Sequence, residues 1–171
     1  MKVRVLKRTQ MVPRPLEETY EIFSNPQSLE ILTPSSMRFQ LLGQRLDSIR
    51  PGTVLTYRFY LYRLPILWQI RIESADAPNS FTDVQEKGPL AHWQHTQTFV
   101  SHGSKSTEVR DRFEFALRYG RAGEFAYRTF LKAILRQVID YRSNKIDLFM
   151  HSNPAKPAKV EARPAPRQPH A

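Results

Sequence analysis

The sequence predicts an α+β domain in which an antiparallel sheet packs on one long C-terminal helix. Three observations carry that expectation. Apolar and polar residues alternate with a period of two in a series of short runs between Phe39 and Phe115, as in strands buried on one face. After Tyr119-Gly120 the apolar period lengthens to 3.6, with no proline to interrupt it up to Met150, as in a helix. Ahead of the sheet there is room for one strand and two short helices.

Val3 and Val5 alternate with Lys2 and Arg4 and lead through Leu6 to Met11-Val12, a first strand with one charged face. Pro13 and Pro15 end it, and Pro15 suits the opening of a helix carrying Leu16, Tyr20, Ile22 and Phe23 as far as Ser24-Asn25-Pro26. A second short helix fits Gln27 to Leu32, stopped by Thr33-Pro34. From Met37 the strands begin. Phe39 and Leu41 start one, Pro51-Gly52 turns the chain, and Leu55, Tyr57, Phe59 and Leu61 then share a face opposite Val54, Thr56, Arg58 and Tyr60. Trp68, Ile70 and Ile72 share the next inner face, and Ala77-Pro78-Asn79 turns the chain again. In Tyr60 to Trp68, Pro65 is expected to keep the segment out of a regular strand, leaving a flap beside a ligand portal or a packed strand-loop-strand. A last strand sets Thr107, Val109, Asp111, Phe113 and Phe115 against Glu108, Arg110, Arg112 and Glu114. Phe125 or Ala126, Tyr127, Phe130-Leu131, Ile134, Val138, Tyr141-Arg142 and Ile146 form a helical stripe too broad and too aromatic for a coiled-coil seam. The helix, Gly123 to Phe149, therefore belongs across the aromatic face of the sheet.

With 171 residues, 40% of them hydrophobic, the chain holds one substantial core. Five of its 13 prolines lie in the last eighteen residues, where Pro, Ala, Lys and Arg dominate. Such a segment buries too little apolar surface to offset its ordering entropy, so residues 1–152 read as the domain and 153–171 as a disordered basic tail. The absence of cysteine excludes a disulfide framework and thiolate metal sites. Neither a signal-peptide pattern nor a long apolar run is found, and a soluble, cytoplasmic protein is expected. The net charge is +10, of which the tail supplies +3, and the remaining basic residues are scattered singly. That pattern predicts a solvated basic surface and no specific nucleic-acid partner, with transient contact to an anionic membrane surface as a further expectation.

The stretch Phe81 to Phe99 places polar groups where apolar ones belong. Phe81, Asp83 and Gln85 alternate in one run and Trp93, His95, Gln97 and Phe99 in the next, with Gly88-Pro89 as the turn. Thr82, Val84, Gln94, Thr96 and Thr98 form the opposite, solvated or half-solvated face. If the aromatic face is inside, Asp83, Gln85, His95 and Gln97 are inside with it, and a cavity accommodates them better than a dry core. If that turn pairs residues whose numbers sum to 178, which keeps both aromatic sets on one face, Asp83 is expected opposite His95, Phe81 opposite Gln97 and Gln85 opposite Trp93, while Asp111 falls opposite His95 or Gln97. A histidine between carboxylates can orient a ligand, serve as a general base or close a structural network. Neither a metal site nor a Ser-His-Asp arrangement is expected, because His92 and His102 lie elsewhere and no serine elbow accompanies His95.

The element order β-α-α-β(6)-α, with Pro51-Gly52-Thr53, Leu64-Pro65-Ile66-Leu67-Trp68, Phe81-Thr82-Asp83-Val84-Gln85, Gly88-Pro89, Trp93-Gln94-His95 and Asp111 to Phe115, resembles the uncharacterised ligand-binding branch of the START-like (SRPBCC, helix-grip) superfamily, over about Val3 to Phe149. That branch pattern has a second histidine where this chain has Gln97, which again tells against a two-histidine metal site. The resemblance implies a curved sheet gripping a helix around a cavity for a lipid, polyketide or similar hydrophobic molecule, with no cofactor. Polar recognition is then expected from Asp83, Gln85, His95, Gln97 and Asp111. The walls are expected from Tyr57, Phe59, Trp68, Ile70, Phe81, Trp93, Phe99, Phe113, Tyr127, Phe130 and Ile134. The alternative is an enzyme resembling polyketide cyclase/dehydrases, with His95, Asp83 and Asp111 as candidate catalytic residues and His95 as acid/base.

Overall fold

Seven antiparallel strands form one sheet in the order β1-β7-β6-β5-β4-β3-β2 in a computed structural model. The structure describes residues 2–43, 46–61, 63–120, 123, 125 and 127–151, without the side chains of 130, 131, 134, 135, 139, 143 and 147–151. The strands are β1 (Val3–Val12), β2 (Gln40–Leu42), β3 (Val54–Leu61), β4 (Leu64–Asp76), β5 (Ser80–Lys87), β6 (His92–Ser101) and β7 (Thr107–Ala116). Helices α1 (Leu16–Ser24) and α2 (Ser28–Ile31) follow β1. A π-helical turn, Tyr127–Leu131, leads into α3 (Lys132–His151). The expected 153–171 tail and the cavity-wall roles of Phe130 and Ile134 lie outside the described residues.

The period-two pattern decides which face is covered. Along β7, Thr107, Val109, Asp111, Phe113 and Phe115 are buried, and Arg110 and Arg112 are exposed and paired with Glu108 and Glu114 on the same outer face. Arg58 and Arg71 also lie outside, bonded to Gln40 and Glu86. Two register shifts in β4, at Gln69/Ile70 and Ile72/Ser74, interrupt its pairing with β5, and such bulges bend a strand and raise its twist. α1 covers one end of the curved face: Tyr20 meets Phe81 and Phe99 edge-on at 6.2 and 5.4 Å, and Phe23 meets Phe99 at 5.7 Å. α3 is tied to β1 by Arg8 and Asp140 at 3.6 Å.

Two expectations are corrected, and the charged face expected for β1 is located. Pro65 lies within β4, paired with Tyr60 of β3. β5 reaches only to Gln69 on the other side, so no strand there requires the N–H that proline lacks. Thr82, expected at the surface, is 8% exposed, because its hydroxyl pairs across the strands with that of Thr96 at 3.1 Å. In β1 the charged face is the inward one, since Arg4 sits 4.6 Å over the Tyr127 ring and Arg8 reaches Asp140, while Val3, Val5 and Met11 are exposed.

Candidate functional site

Three neighbouring strands bring one residue each to the centre of the covered face. β5 and β6 pair Asp83 with His95 and Phe81 with Gln97, and β6 and β7 pair Gln97 with Asp111, leaving Asp111 one step diagonal to His95. His95 therefore lies between two carboxylates. Its Nδ1 is 3.1 Å from Asp83 Oδ2 and its Nε2 is 2.9 Å from Asp111 Oδ1. Trp93 Nε1 donates to the other Asp83 oxygen at 3.0 Å, and Gln97 Nε2 donates to Asp111 Oδ1 at 2.6 Å. Phe113, directly across from His95, stacks on the imidazole at 4.3 Å with 9° between the planes. Asp83, His95, Gln97 and Asp111 are each at most 7% exposed.

The contacts determine the charges. Burial opposes a charged ring, but the hydrogen bonds and negative charges of Asp111 and Asp83 outweigh it and push the His95 pKa up to about 9. At neutral pH the ring holds both protons and donates one to each carboxylate. For Asp111, burial raises the carboxyl pKa, and His95, the Arg142 charge and Gln97 together pull it below the usual carboxylate range. The cluster is two anions around one cation. Among the described residues, no group of three or more His, Asp or Glu side chains is arranged to hold a metal ion.

This cluster opens on a cavity of about 60 Å³, lined on the sheet by Leu55, Tyr57, Ile70, Ile72, Phe81, Asp83, His95 and Gln97 and closed by residues of α1, α2, Ile49 and Arg142 of α3. A second pocket of about 310 Å³ lies between Pro34, Ser36 and Met37, the β3–β4 hairpin at Tyr60, Leu61 and Arg63, and Gln137 and Val138 of α3. Val138 and Arg142 are four residues apart on one helix, so the two spaces meet the same face of α3 about one turn from each other. Phe39, two residues from Met37, packs on Tyr57 at 5.1 Å.

No family model and no curated protein sequence matches the chain. Solved structures do. A norcoclaurine synthase from Thalictrum flavum, in complex with dopamine and hydroxybenzaldehyde, superimposes with a TM-score of 0.65 at 15% identity, over 91% of this chain and 90% of that one. The Zhui aromatase/cyclase from a Streptomyces species gives 0.65 at 15% identity, over 85% and 92%. A START superfamily protein from Mycobacterium smegmatis gives 0.64 at 11%, over 85% and 96%. The chain has the START-like helix-grip fold.

In this helix-grip fold, Tyr57, Ile70, Phe81, Asp83, His95 and Gln97 line the inner cavity. Asp111, Trp93 and Phe113 stand behind them, bonded to or stacked on the lining groups. Of the other expected wall and recognition residues, Phe59, Trp68, Gln85, Phe99 and Tyr127 do not line it. Phe59 and Trp68 pack together at 6.0 Å, and Trp68 meets Trp93 at 5.0 Å. Gln85 closes the β5–β6 turn, donating from Nε2 to the Leu90 carbonyl at 2.9 Å and accepting the Leu90 N–H at 3.4 Å. Phe99 belongs to the core under α1, and Tyr127 packs on Phe115 at 5.8 Å. The sequence reading missed Arg142, which it placed on the apolar stripe. Its position in the stripe was the available signal, since a cation on a core-facing register is unusual.

Proposed function

We propose that the domain binds a hydrophobic small molecule, with its polar end in the inner cavity and its apolar body along α3 toward the outer pocket. One observation supports this above others: the Asp83-His95-Asp111 cluster faces a cavity whose other walls are mostly apolar, among them Leu29, Leu32, Ile49, Leu55, Ile70 and Phe81. A few fixed polar groups in an apolar hollow are what orients a small ligand. The inner space alone is small against ordinary ligand pockets of about 300–1,000 Å³, so the outer pocket is part of the proposal. Acid/base chemistry at His95 has less support. Both ring nitrogens are occupied by carboxylates, and a ring protonated up to about pH 9 is a weak acceptor at neutral pH.

Mass spectrometry of compounds extracted from natively purified protein tests the binding reading. An apolar compound of matching size is expected, and Val138→Trp, which fills the outer pocket, should abolish its recovery without lowering the unfolding midpoint. Recovery of nothing above a buffer blank, with no saturable uptake of apolar probes, overturns the proposal. The β3–β4 hairpin also exposes Leu64 (69%) and Leu67 (60%) next to Arg63, which favours delivery from an anionic membrane surface. Flotation with phosphatidylserine vesicles should then fall on Leu64→Ser/Leu67→Ser, and equal flotation would sink that part.

A further inference from the structure

We infer that the ligand presents an uncharged carbonyl oxygen, of a ketone, aldehyde or ester, to Arg142 and Tyr57. The inference rests on the binding role proposed for the cavity. Arg142 Nε, from α3, and the Tyr57 hydroxyl, from β3, are both buried, and neither has a hydrogen-bond partner. Both residues line the inner cavity. An unpaired buried donor is costly, a charged one most of all.

The neighbouring carboxylates leave them unpaired: the hydrogen bonds to Asp83 come from Trp93 and His95, and those to Asp111, both on Oδ1, from His95 and Gln97. A guanidinium only donates. Burial and the Asp83 charge raise the Tyr57 pKa, so the phenol stays neutral and has a proton to donate. Two donors lining one small space call for an acceptor.

Charge selects the kind of acceptor. Asp83 and Asp111 balance His95 and Arg142, so the four groups sum to zero at neutral pH. A carboxylate would leave a net negative charge in a buried site, which is expensive. An ammonium group would bring no acceptor and would meet the Arg142 charge. A carbonyl oxygen takes both hydrogen bonds and adds no charge.

Three probes of similar size separate these cases: ethylbenzene, acetophenone and benzoate, titrated into the full chain and followed by protein NMR shifts. Acetophenone is expected to bind about tenfold or more tighter than ethylbenzene, the scale of one to two hydrogen bonds, with benzoate weakest. Arg142→Met and Tyr57→Phe should each cut that preference severalfold, read as the ratio of the acetophenone and ethylbenzene affinities within each variant. Tyr57→Phe removes a single oxygen, so it carries the test even if Arg142→Met fails to fold. Benzoate binding tightest, or a ketone preference that survives in the variants, overturns the inference. Equal binding of ethylbenzene and acetophenone leaves the cavity proposal standing and removes this one, and binding of no probe removes both.

Discussion

His95 keeps its proton to about pH 9 in the fold, against about 6.5 in an exposed histidine. Between those values the native state holds a proton that the unfolded chain has lost, so the stabilising contribution is full below about pH 6.5 and gone once the pH passes about 9. Its size is roughly 3 kcal/mol. Asp111 has the opposite sense: its lowered pKa contributes stability above the ordinary carboxylate range, lost as pH falls through the folded value. Urea unfolding should therefore show a marked loss of stability from pH 6 to pH 9.5. His95→Gln should lower stability by about 3–5 kcal/mol at pH 6, because it leaves two carboxylates around a neutral group, and should flatten the alkaline loss. Wild type and variant sharing the same alkaline slope would show that the cluster is not the titrating unit.

At the scale of elements, the β5–β6 turn holds the cluster's two leading strands in register. Gly88 has no room for a side chain: a Cβ there would collide with the Gln85 carboxamide oxygen and press on the Trp68 ring. Gly88→Ala should displace Gln85 from Leu90 and cost about 1–2 kcal/mol, the scale of two neutral hydrogen bonds. In a Gln85→Ala background the same change should cost much less, because the colliding group is gone. Additive losses in that double-mutant cycle would place the strain elsewhere in the turn.

For the whole molecule, the contrast lies between the domain and the 153–171 segment. Four of its residues are basic and most others are proline, alanine or polar, so it offers little apolar area with which to dock on the domain. Its removal should leave the thermal midpoint within about a degree and change the net charge from +10 to +7. A large drop in the midpoint would mean that the tail packs on the fold. Among the described residues no helix is long and apolar enough to cross a membrane.

The sequence by itself determined the element order, the buried face of each central strand and the Asp83-His95 pairing. Each follows from local periodicity and one turn: only a register whose paired numbers sum to 178 keeps both aromatic sets on one face, which sets Asp83 opposite His95, and a slip by one residue would turn one of those sets to the other face. It left Asp111 opposite either His95 or Gln97, because the loop around Gly103 admits two centres. Pairing with Gln97 allows Asp111 to reach His95 diagonally and bond both. The inward turn of Arg4 and Arg8, the burial of Thr82 and the placement of Phe99 under α1 depend on contacts between elements far apart in sequence. Only the tertiary structure decided that Arg142 shares the inner cavity with Asp83 and His95, because the angle at which α3 crosses the sheet is set by packing over its whole length and leaves no local mark in the chain.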